Sequence, residues 1–198
     1  MNISIIYFSE NNQTEKISNA VNTLNTVQSH FIFRLKKDTQ AEICKTKKVD
    51  WGFFRSTQHP AYNSHIIYIT EKEFSDNWFS HEEAQYAVLS INGWNEYFAP
   101  IPIELYLIYQ IAQAAINFSA KLSEQAALKK THNDAKGCMF DQCSNKRDIV
   151  RGMATGMICD DCMEHLQNRL SDKDILIAVQ QMLDYVKTSI AELLPIIT

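Results

Sequence analysis

Cys138, Cys143, Cys159 and Cys162 stand in a C-x4-C-x15-C-x2-C pattern, four thiols within 25 residues. Zinc takes four soft donors in a tetrahedron, and two close cysteine pairs can each supply two thiolates from a short turn. Gly137, Gly152 and Gly156 punctuate this segment, where such turns need tight backbone. The pattern predicts one Zn²⁺ ion held by Cys138, Cys143, Cys159 and Cys162. Four thiolates leave no open coordination position, so the ion would be structural and not catalytic. Two other readings use the same residues: an iron–sulfur cluster and four buried free thiols. His132 and His165 lie close by, and either could replace a cysteine as a ligand instead of sitting on the surface. The fifth cysteine, Cys44, is remote and reads as a small core residue rather than a nucleophile.

Clustered thiols favour metal over disulfide in a reducing compartment. The N-terminus, MNISIIYFSENNQ, has no basic leader and only a short apolar run, and no stretch of about 20 apolar residues occurs. The expectation is a cytoplasmic protein with no membrane association. The net charge of −4 argues against a dedicated nucleic-acid binder. Two segments run the other way. Residues 34–55 hold seven basic and three acidic side chains, and residues 129–151 hold six and three.

The elements that must position the cysteines follow from periodicity. Residues 3–8 (ISIIYF), 31–35 (FIFRL), 65–70 (HIIYIT) and 86–91 (YAVLSI) read as strands, rich in β-branched and aromatic residues. Ile17, Ala20, Val21 and Leu24 share one face of an early helix, with Thr14 as its expected N-cap. Residues 37–64 read as a long loop with Trp51, Phe53 and Phe54 as anchors, and 71–83 as a second loop. A helix over 103–130 is apolar nearly all round in its first half, so it should be central and buried. Its polar exceptions, Tyr106, Tyr109, Gln110, Gln113 and Asn117, fall on one side. Residues 131–159 read as irregular. Cys162 opens a helix, and Ser171 or Asp172 caps a last amphipathic one carrying Ile175, Ile177, Val179, Met182, Leu183, Val186 and Ile190. This order implies an α/β or α+β domain with a mixed sheet.

A long buried helix followed by C-x4-C and C-x2-C resembles the archaemetzincins. These are zinc peptidases with a catalytic HExxHxxGxxH helix and a second zinc on four cysteines. The opening strand–helix–strand, HIIYITEKEF and YAVLSI resemble the family's sheet, and the likeness spans roughly residues 3–170. It implies a zincin-like mixed sheet with a long buried central helix, then a four-cysteine zinc knuckle and C-terminal helices. Residues 1–170 would form the zincin-like domain, with the zinc segment at 132–166, and residues 171–198 a C-terminal helix.

The departures from the family pattern bear on function. Tyr109-Gln110-Ile111-Ala112-Gln113 stands where HExxH is expected, Ser119 at the third ligand position, and Asn145 at the family's methionine after the second cysteine. Phenol and amides do not hold zinc or activate water. The resemblance therefore implies a degenerate member with no catalytic residues and one structural zinc. His81-Glu82-Glu83-Ala84-Gln85 looks like HExxH without its second histidine, and reads as a loop or helical turn. Three functions remain. The leading one is a pseudoenzyme that binds a protein or peptide in a groove lined by Tyr106, Tyr109, Gln110, Gln113 and Asn117. The second is a nucleic-acid-binding knuckle using Lys136, Lys146, Arg147 and Arg151. The third is a hydrolase built on His59, His65, His81 and Glu82.

Overall fold

The computed structural model describes residues 1–8, 13–37, 47–56, 65–122, 132, 136–143 and 145–193. Cys44, His59 and the expected helix tail at 123–130 lie outside the described residues, as does the side chain of Phe53.

Five strands form one sheet in the order β2-β1-β3-β5-β4. They are β1 (Asn2–Phe8), β2 (Ile32–Lys37), β3 (His65–Thr70), β4 (Ser80–Glu82) and β5 (Tyr86–Ser90). Four run parallel, and β4 is antiparallel to β5 at the edge. The sheet is mixed, as the element order implies. The edge strand has no signal in the sequence, because Ser80-His81-Glu82 is short and carries no apolar alternation.

Alternation along the strands gives the sheet two apolar faces. Ile3, Ile5, Tyr7, Ile67, Ile69, Ala87 and Leu89 join the main core. Ile6, Ile66, Tyr68 and Val88 join a smaller one under α2 (Trp51–Ser56), where Trp51 and Phe54 anchor a segment expected to be loop. The main core is covered by α1 (Thr14–Val27), α4 (Ile103–Ser119) and α7 (Asp174–Leu193). The cap position of α1 is Gln13, which makes no side-chain capping bond, so Thr14 is the first helical residue and not the cap.

The central helix α4 follows a four-residue turn of helix, α3 (Trp94–Tyr97). It buries 14 of its 17 residues, since sheet, α1 and α7 surround it. Beyond it, α5 (Asp148–Thr155) and α6 (Asp160–Gln167) carry the cysteine segment. Residues 148–155 were expected to be irregular. Ile149 and Met153 are one turn apart and both buried, which is the helical signal that Gly152 obscures. On α7, Ile177 is 58% exposed, not buried. It lies two residues from Ile175, about 200° round a helix, and so on the opposite side. No described helix is long and apolar enough to cross a membrane.

Candidate metal centre and adjoining cleft

Three segments bring metal-ligating side chains together. A tight turn holds Cys138: Asp141 N–H donates to Cys138 O at 3.0 Å, and the Asp141 carboxylate takes the amides of Gly137 and Cys138. Gly137 has φ +88°, and a Cβ there would lie 2.7 Å from Thr155 Cγ2, so the turn needs glycine. Met139 N–H donates to Met157 O at 2.7 Å, which ties the turn to the residues before Cys159. Cys159 is the N-cap position of α6, and Cys162 sits in its first turn. His132 is the third piece, pinned by His132 N–H to Phe140 O at 3.1 Å and Gln142 N–H to His132 O at 2.9 Å.

The ligand atoms of His132, Cys138, Cys159 and Cys162 all lie within 4.8 Å of one another. His132 Nε2 is 3.0 Å from Cys159 Sγ and 3.2 Å from Cys162 Sγ. Zinc bonds of about 2.3 Å to sulfur and 2.0 Å to nitrogen place tetrahedral ligands roughly 3.5–3.8 Å apart. The two histidine–sulfur pairs are somewhat tighter than that and all four donors stay within 4.8 Å of one another, and their chemistry is that of a structural zinc site. Amides of Phe140 and Cys159 point at Cys138 Sγ, at 3.5 and 3.4 Å. The Cys162 thiol holds Cys138 down to about 5, the amides adding to this against burial, while Cys162 is pushed up by the same shared proton. A thiolate already favoured at Cys138 suits a bound cation.

Cys143 stands outside this set, and His132 takes the position the sequence pattern gave it. The turn closes at Asp141, and Cys143 emerges beyond it with Sγ 3.7 Å from Asp141 O. Burial, then the carboxylates of Asp148 and Asp141, push its thiol up to about 11, so it is neutral at pH 7. His165, three residues after Cys162, is not one of the four.

Beside the metal centre is a cleft of about 210 Å³. Its floor is α4, through Tyr109, Gln110, Gln113 and Asn117; β4 forms one wall and the 139–143 turn the other. Tyr106, grouped with these by spacing, is elsewhere: fully buried, ring 4.3 Å from that of Trp94, hydroxyl donating to Ser90 O at 2.8 Å. It braces α4 against β5. Tyr106→Phe should remove this hydrogen bond, cost about 1 kcal/mol, and lower the melting temperature by about 2–4 °C in a thermal scan, with no change in metal content.

Tyr109 is buried, and burial holds its phenol well above the ordinary tyrosine range, with Cys143, Cys138 and Asp141 adding to the rise. A phenol so held is protonated and no zinc ligand at neutral pH. Gln110 Nε2 reaches Gln113 Oε1 at 3.5 Å, and Asn117 Nδ2 donates to Glu82 Oε2. On β4, His81 contacts Asp76 at 2.8 Å and stacks on Trp51 at 4.9 Å; His65 stacks on Phe118 at 4.9 Å. The strand around His81 explains why the HExxH-like stretch makes no helix. Of the basic residues, Lys136, Arg147 and Arg151 are exposed, and Lys146 lies over the Phe79 ring at 4.9 Å.

No protein-family model and no curated protein matches the chain. Solved structures do. The archaemetzincin from Archaeoglobus fulgidus, complexed with malonate, is 16% identical with a TM-score of 0.53, over 83% of this chain and 99% of that one. The archaemetzincin from Methanopyrus kandleri is 13% identical, TM-score 0.56, over 87% and 96%. A zinc-dependent peptidase from Methanocorpusculum labreanum is 13% identical, TM-score 0.52, over 83% and 99%. The likeness at these identities is one of fold.

Proposed function

We propose that this chain, which has the archaemetzincin fold, is a non-catalytic binding protein that receives an extended segment of a partner protein in the cleft above α4. One Zn²⁺ on His132, Cys138, Cys159 and Cys162 would hold the cleft wall together. With four protein ligands it would have no position for substrate or reacting water.

The observation that supports this reading is the cleft floor. A zincin peptidase needs imidazoles and a carboxylate on that helix; Tyr109, Gln110 and Gln113 offer a protonated phenol and two amides. Such groups donate to and accept from peptide backbone. The neighbouring wall, β4, is the edge strand of the sheet, the place where an added extended segment pairs.

The test is selection of peptides from a random displayed library on the zinc-loaded protein. Enriched peptides should bind intact. Gln113→Ala, a half-buried change on the cleft floor, should weaken them by about tenfold, the size of one or two hydrogen bonds, with zinc content and melting temperature held. Cleavage of a peptide pool at a rate that follows a second bound zinc would refute the proposal.

A further inference from the structure

The cleft floor holds buried acceptors that no described donor satisfies. Gln110 is 4% exposed and Asn117 3%, yet Gln110 Oε1 and Asn117 Oδ1 have no hydrogen-bond partner among the described residues, and neither does Asp141 Oδ1 across the cleft. The orientation of Asn117 is fixed. Its Nδ2 faces the Glu82 carboxylate, which only accepts when ionised, so the oxygen must be the atom left over. A buried acceptor without a donor costs about 1–3 kcal/mol. Three around one cleft, all belonging to residues that line it, mark a place built for a donor.

The charge agrees. The lining includes the carboxylates of Glu82 and Asp141, and neither lysine nor arginine. Trp78, Phe79 and Met139 supply apolar wall beside them. An apolar wall leading to oxygen acceptors suits a side chain with an aliphatic stem and a cationic, multiply donating head. A neutral alkyl chain would leave the acceptors unpaired, and an acidic one would face two carboxylates.

We infer that the cleft is a subsite for an ammonium or guanidinium head, the side chain of a lysine or arginine in the bound segment, with Gln110, Asn117, Glu82 and Asp141 as its acceptors. This rests on the peptide-binding reading above and adds the chemistry of what that cleft selects.

The experiment uses zinc-loaded protein and fluorescent, N-acetylated heptapeptides that differ only at the central residue: lysine, arginine, norleucine or glutamate. Free 1,5-diaminopentane is titrated separately by calorimetry. Lysine and arginine peptides should bind about tenfold tighter than norleucine, the scale of one charge-assisted hydrogen bond, and glutamate should bind weakest. Glu82→Gln, nearly isosteric, should reduce that preference to under about threefold while zinc content and melting temperature stay as they were. Gln110→Leu, which deletes an acceptor from the floor, is the companion variant and should act in the same direction. If norleucine binds as tightly as lysine, the cationic subsite is wrong and peptide binding survives. If no peptide binds but the diamine does, with Glu82→Gln abolishing it, the subsite stands and peptide binding falls. If neither binds, the subsite is wrong.

Discussion

Cys159→Ser is expected to lose the metal and with it the folded state at 37 °C, whereas Cys143→Ser keeps both. A structural zinc contributes on the order of 10 kcal/mol to a small metal module, and whole domains are stable by only about 5–15 kcal/mol. Cys159 Sγ lies 3.0 Å from His132 Nε2 inside the four-donor cluster, and Cys159 also heads α6. Removing its thiolate leaves three ligands, and one of the segments that the ion joins, the start of α6, loses its tie to His132. Cys143 offers nothing to that cluster, and a serine there keeps a donor for Asp141 O. His132→Ala should behave like Cys159→Ser, with less than about half an equivalent of zinc by elemental analysis. Retention of one zinc by His132→Ala together with its loss in Cys143→Ser would reinstate the four-cysteine set.

Gly156→Ala is expected to cost about 3 kcal/mol, more than most single changes. Gly156 ends α5 with φ +55°, a conformation that costs a residue with a Cβ roughly 1–2 kcal/mol. A Cβ there would also lie 2.9 Å from Leu183 O and 3.1 Å from Lys187 Cβ. The first of these is backbone of α7 and cannot rotate away, so the helices must part, at a cost of the order of 1–3 kcal/mol for overpacking. Gln180 Nε2, from the same helix, donates to Gly156 O at 3.1 Å and holds the approach close. The check is chemical denaturation against wild type. A midpoint shift worth under about 1 kcal/mol would mean that α7 moves without penalty.

What the sequence makes legible differs between layers. The strands around Ile5, Ile67 and Leu89 are visible because their apolar runs are short and β-branched, and the surround of α4 is visible because apolar residues run nearly all round it and leave only a narrow polar stripe. The cleft is half legible. Spacing places Tyr106 with Tyr109, Gln110 and Gln113, but spacing says nothing of what covers each position. Trp94 and β5 lie over Tyr106, and β4 and the 139–143 turn stand back from the others. The clustered donors differ from the pattern at one member, because ligand type and count are in the pattern while the path of the turn is not. Asp141 closes the loop before Cys143 is reached, and His132, which precedes the motif, is carried in by its backbone pairing with 140–142. The three-residue β4 carries no signal of its own, since its pairing with β5 is what makes it a strand.

The contact between Tyr109 and Gly152 works as a ratchet on mutational change. A Cβ at 152 would lie 2.4 Å from the phenolic oxygen, so the tyrosine fills the space that the missing side chain leaves. A histidine at 109 would be shorter and would open a void over the glycine, and a void of even methyl size costs about 1 kcal/mol. Any larger residue at 152 has to displace the tyrosine ring. Ser119, which would have to become the third ligand, already donates its hydroxyl to Ala115 O at 2.7 Å within the helix. A chain drifting toward a metal-binding α4 would therefore lose packing at position 109 and a hydrogen bond at 119, and both steps run uphill before a full ligand set is in place.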